Sequence, residues 1–259
     1  MALRFASFLG LVWMATLTAC GAEGSKTYPP YRYRLTVTVD TPQGPRSGSS
    51  VVEVRTYVAG KLSIPSPGMV HQTLKGQAVA IDLPNGKTLF ALLRSDDDND
   101  WALGVLMNQT PHPTAEESIG RDGKFDPNMD FDLWMQRVLA LKGVQVLPRW
   151  LPPLYPGREP PDPLRSNYPM MVYFKDINNP ATVDRVDPDN LSKVFGQGYK
   201  IDRVTAEPTQ DAVSTGISSR FPWWERYHDR HFDGSSASIE NPFDKPVTWL
   251  SSGSFSANL

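Results

Sequence analysis

The stretch Tyr33-Arg34-Leu35-Thr36-Val37-Thr38-Val39-Asp40 alternates residue by residue, with Tyr33, Leu35, Val37 and Val39 on one side and Arg34, Thr36, Thr38 and Asp40 on the other. A period of two over this length predicts a β-strand with one face in a core and one facing water. Thr41-Pro42-Gln43-Gly44-Pro45 ends the run, since proline and glycine interrupt a ladder. Ser50 to Val58 reads as a second strand, with Val52, Val54 and Val58 on one side, and the two predict an antiparallel hairpin across a loop of about eight residues.

Downstream, Gln77–Leu83 and Lys87–Leu93 predict another hairpin. The Asn85-Gly86 pair between them favours a type I′ turn, which needs positive φ at both positions. Leu89–Leu93 is apolar on both faces, as in a central strand. Asp126-Pro127 reads as an N-cap followed by proline in the first helical turn. Phe131, Trp134, Met135, Val138 and Leu141 then follow a helical period, closed by Lys142 and Gly143. A shorter helix is expected from Asp187-Pro188 to Phe195-Gly196, and further strands at Met170–Phe174 and Tyr199–Ala206. Seven prolines fall between Pro148 and Pro163. That density favours extended backbone, and the apolar Trp150, Leu151, Leu154 and Tyr155 favour a strap on one domain over a linker between two. These elements predict an α+β fold, a mainly antiparallel β-sheet core with one or two short helices packed on it. An all-β sandwich is the alternative. One domain is expected over residues 31–259, with the proline-rich strap at 148–163.

The whole chain carries 26 Lys+Arg and 28 Asp+Glu, and its 24 prolines and 19 glycines favour loops and short elements. This balance leaves no electrostatic footprint for nucleic acid. Neither a Walker A loop nor a GxGxxG fingerprint occurs, nor a GxSxG elbow, SxxK or HExxH. No cofactor is expected.

Three segments hold candidate chemistry. Asp96-Asp97-Asp98-Asn99-Asp100 sets alternate oxygens that suit Ca²⁺, but an EF-hand loop needs glycine at its sixth position and glutamate at its twelfth. Here those are Trp101 and Met107, so a solvated turn is expected. Asp126, Asn128, Asp130 and Asp132 fail the same test with Phe131 and Arg137, and read as helix-start residues favoured by the dipole. His228 and His231 stand three apart and would share a helical face, offering two ligands for Zn²⁺ with Asp233 or a distant group. Arg220-Phe221-Pro222-Trp223-Trp224-Glu225-Arg226-Tyr227 is the most aromatic window. Its Phe221, Trp223, Trp224 and Tyr227 are residue types of binding hot spots, and tryptophan faces also stack on sugar rings. The competing reading is that these rings plug the domain's own core.

At the N-terminus Arg4 precedes a mostly apolar run, Phe5–Leu17, broken by Ser7, Gly10 and Thr16. The run is shorter than the roughly 20 residues of a spanning helix and reads as an export signal. Leu17-Thr18-Ala19-Cys20 follows and contains the only cysteine. This motif resembles the lipobox of bacterial lipoproteins. The resemblance implies cleavage before Cys20, a diacylglyceryl group on its thiol, and a signal over residues 1–19. It also implies a periplasm-facing domain on a flexible tether of residues 20–30, with the outer membrane favoured because Gly21 is not aspartate. An uncleaved anchor helix and an unlipidated secretory signal remain the alternatives. Removing the leader takes the net charge from −2 to −3 and leaves no free thiol, so stability rests on burial alone. Tyr33–Asp40, Gly48–Arg55, Val183–Pro188 and Thr215-Gly216-Ile217 before Arg220-Phe221-Pro222-Trp223 are similar to a family of proteobacterial proteins of unknown function, which implies one coherent domain and no activity. Two functions follow as expectations. The first is a binding or scaffolding module of the cell envelope with a protein or glycan partner. The second is a periplasmic metal-assisted hydrolase using His228, His231 and carboxylates.

Overall fold

The computed structural model describes residues 24–60, 62, 64, 67–152, 164–228, 230–235 and 247–257. The leader, Cys20, Leu154, Tyr155 and Asp229 lie outside the described residues. Among the described residues eight strands longer than two residues carry the fold: β1 Tyr31–Asp40, β2 Arg46–Val58, β3 Val70–Gln77, β4 Val79–Asp82, β5 Thr88–Ala91, β6 Met171–Phe174, β7 Val183–Val186 and β8 Lys200–Pro208. All pairings are antiparallel, and the architecture is α+β.

In place of the expected single sheet, the described residues form two main sheets and a separate two-stranded one. The larger runs β3-β2-β1-β8, with Ser256–Ala257 on the outer edge of β3 and Gln145–Val146 on that of β8. The smaller runs β7-β6-β5-β4. The chain leaves one sheet for the other at Ala78, between β3 and β4. Tyr33, Leu35, Val37 and Val39 of β1 are fully buried and share a core with Val79 and Ile81 of β4, Leu89 and Ala91 of β5, and Met171 of β6. The alternate residues of the small sheet, Phe90, Val172, Phe174 and Val183, face a second core. The small sheet is therefore buried on both faces, which is why Leu89–Leu93 is continuously apolar.

The first hairpin has a shorter loop than expected, because β2 begins at Arg46 and pairs with Val39. Gly48, opposite Val37, packs directly against the backbone of β4. A Cβ there would sit 2.2 Å from the carbonyl oxygen of Ala80, so only glycine fits the approach. The β4–β5 turn also differs from the expected type I′. Gly86 N bonds Leu83 O at 3.0 Å, which centres the turn on Pro84 and Asn85. Proline holds φ near −65° and forbids the primed form. Gly86, at φ +79°, follows as the left-handed residue of a three-residue loop.

Helix α1, Pro127–Ala140, starts as read. Asp126 accepts hydrogen bonds from Asn128 N at 2.9 Å and Met129 N at 3.3 Å. Met135 and Val138 enter the main core, while Phe131 and Trp134 pack half-buried at its edge. The expected helix from Asp187 shrinks to Ser192–Phe195, since Asp187–Asn190 closes a separate turn. The ends of the proline run are tied, with Trp150–Leu151 paired to Arg165–Ser166. The expected tether is also shorter than 20–30. Lys26–Thr27 pairs with Tyr57 and Val58 of β2, and Tyr28 is buried. Among the described residues no helix is long and apolar enough to cross a membrane.

Candidate functional site

The aromatic window divides into two turns, Ile217–Arg220 and Trp224–Tyr227. Three contacts fix them, one to the end of β3 in the large sheet and two to the small sheet and the loop after β6. Ile217 N donates to Gln77 Oε1 at 2.8 Å. Arg220 forms a bidentate pair with Asp82 at 2.8 and 2.9 Å, and its guanidinium holds that carboxyl below the usual range. Trp223 Nε1 donates to Ile177 O at 2.7 Å.

Phe221 and Trp223 are buried, which corrects their expected place on an interaction surface. The Phe221 ring lies 5.2 Å from Phe90, 5.3 Å from Phe255 and 4.7 Å from Trp223. With Ile217, Phe232, Leu250 and Phe255 they close the second core over the outer face of the small sheet. Tyr227 is half-buried edge-on against Trp223 at 5.8 Å.

Trp224 differs from its neighbour. It is half-buried and stacks on Phe221 with centroids 5.7 Å apart and planes 11° from parallel. Phe221 therefore backs one face of the indole. The ring also lines a cleft of about 410 Å³ together with Lys75, Ile217, Ser218, Glu225 and His228. Ser252 Oγ donates to Trp224 O at 2.8 Å and fixes the turn. The result is an indole platform among one lysine, one glutamate, one histidine and the hydroxyl residues Thr215, Ser218 and Ser256.

The two histidines do not form the expected metal pair. His228 is exposed in this cleft, whereas His231 is buried, stacked on Trp249 at 4.9 Å with Nδ1 against the Trp249 carbonyl. A 3₁₀ turn ends at Tyr227, so the helical face they would have shared is not built. Asp233 is engaged by Ser235 N and Oγ. Among the described residues no group of three His, Cys, Asp or Glu could hold a metal ion.

The 96–100 segment is a turn, but it is not simply solvated. Asp97 accepts from Ser95 Oγ at 2.6 Å and from Ser166 N at 2.9 Å. Asp96 lies 3.5 Å from Arg185, and burial pushes the Asp96 and Asp98 carboxyls up. Asp97 thus ties the turn to the strand after the proline run, and Asp96 ties it to β7.

Sequence reasoning missed Lys75 and Ser218. Lys75 sits on β3, far from the window in sequence, and nothing local marks it. Comparison with protein-family models, curated proteins and solved structures finds no match to this chain.

Proposed function

We propose that the protein is a lipid-anchored binding module of the bacterial cell envelope, held at Cys20, that takes a glycan in the Trp224 cleft. One observation carries the ligand class: an indole backed on one face by Phe221 and set among Lys75, Ser218, Glu225 and His228. Sugar rings present an apolar C–H face and a rim of hydroxyls. An aromatic plane with convergent polar groups complements both at once. The tie of Lys26 to β2 supports close tethering, since six residue steps from Cys20 span at most about 20 Å.

The test compares adjacent tryptophans in sedimentation with insoluble peptidoglycan. Trp224→Ala should lose about 2 kcal/mol of binding, ~30-fold, as a hot-spot aromatic does, with little change in the unfolding midpoint. Trp223→Ala should instead destabilise the fold by about 3–5 kcal/mol. Retention of binding by Trp224→Ala, or no binding by the parent, refutes the reading.

A further inference from the structure

A larger cleft, about 660 Å³, lies between the N-terminal strand residues and helix α1. It is separate from the Trp224 cleft, and nothing said of one depends on the other. Helical spacing puts Asp130, Phe131 and Trp134 on one side of α1, and Asp132 lines the same cleft. Tyr28 closes the opposite wall, edge-on to Phe131 at 5.6 Å. The indole of Trp134 donates to Thr110 Oγ1 at 2.9 Å and carries His112 over its ring at 4.5 Å. Asp130 accepts from Ser118 Oγ at 2.7 Å, and its other oxygen faces His112 Nε2 at 3.5 Å.

One group inside this cleft is itself a ligand in kind. The Lys26 ammonium sits 2.5 Å from Asp132 Oδ1 and 5.2 Å from the centre of the Tyr28 ring. The Tyr28 hydroxyl donates to the same carboxylate oxygen. A cation held by a carboxylate and an aromatic ring is a general recognition pattern for organic ammonium groups. The Lys26 side chain is only half covered, so its hold on the site is that of a partly solvated ion pair, worth little net. Two carboxylates line the cleft against one lysine, and apolar walls from Val58, Val70 and Phe131 continue beyond the charged end.

We propose that this cleft binds a primary ammonium group carried on an apolar body, and that Lys26 is the internal ammonium that fills the site until a ligand displaces it. A site occupied by its own side chain binds an external ligand more weakly by the fraction of time it stands open. Removing the internal competitor should therefore tighten binding.

Calorimetry on the full chain at constant ionic strength, with hexylammonium as probe and hexanol as neutral control, tests this. Lys26→Met keeps the apolar stem and should tighten hexylammonium binding about fivefold, the result expected if a partly solvated pair worth about 0.8 kcal/mol holds the site about four-fifths of the time. Asp132→Asn should abolish binding, whereas Tyr28→Phe, which keeps the ring, should retain it. Lys200→Met, remote from the cleft, should match the parent. Competition by lysophosphatidylethanolamine would mark a lipid headgroup as the source of the ammonium, and competition by cadaverine a free amine. The proposal fails if Lys26→Met binds no better than the parent, if hexanol binds as well as hexylammonium, or if neither protein binds the probe.

Discussion

Glu53 sits on a central strand of the large sheet and is almost fully buried, yet it is charged in the folded protein. Arg55 Nε at 2.8 Å and Arg32 Nε at 2.7 Å take its two oxygens, and together they lower its pKa despite the opposing effect of burial. A carboxylate depressed on folding stabilises the protein above its unfolded pKa, and that contribution is lost as pH falls through the folded value. Glu53→Gln should therefore cost about 1–3 kcal/mol at neutral pH, the worth of hydrogen bonds to a charged group. Denaturant titrations of both proteins from pH 7 down to pH 3 should show the gap narrowing on acidification. A gap that stays constant would mean that the ion pairs add nothing. The aromatic window makes a related point at this scale. Residue type marked Phe221, Trp223 and Trp224 alike, but burial separates them, two into the second core and one onto a cleft wall.

Among the elements, those read correctly from sequence depend on local chemistry. The alternation of Tyr33–Asp40 emerged as β1, and Asp126-Pro127 as the start of α1. The errors arose where a neighbouring element overrode a local preference. The Asn-Gly pair was outvoted by Pro84 one position earlier, and the segment expected as a flexible tether pairs instead from Lys26 onward, with Lys26–Thr27 on the edge of β2. Gly48 is the clearest case of a residue explained only by another element. In sequence it stands in a run of serines, without apparent purpose. In the fold it lets the backbone of β4 cross β2. Gly48→Ala should push the sheets apart and destabilise by about 1–3 kcal/mol, the usual cost of overpacking, seen as a lower thermal midpoint. An unchanged midpoint would show that the two sheets are not in intimate contact there.

On the scale of the whole molecule, three layers stack: the large sheet, the small sheet, and the C-terminal turns with their aromatic rings. Each candidate site lies where a chain end or late segment meets a sheet or helix. The Trp224 cleft joins β3 to the last third of the chain, and the ammonium cleft joins the first described residues to α1. The proposed anchor at Cys20 belongs to this scale, because it would set the molecule close against a membrane. Mass spectrometry of natively expressed protein should find a mature N-terminus at an acylated Cys20, and Cys20→Ser should move the protein into the soluble fraction. An intact, unacylated Met1 in soluble cytoplasmic material would overturn that assignment.

Pattern alone determined that this chain builds antiparallel strands and one capped helix, because strand alternation and helix capping are written within a few residues of one another. It also singled out an aromatic window, of which one ring, Trp224, reaches a cleft, but it marked neither Lys75 nor Ser218. Tertiary structure alone decided that there are two main sheets, that the small one of these is apolar on both faces because it is covered twice, and which aromatic rings remain accessible. Those outcomes depend on contacts between segments tens to hundreds of residues apart, such as Lys26 with Asp132 and Gln77 with Ile217. No local spacing encodes which distant surfaces will meet.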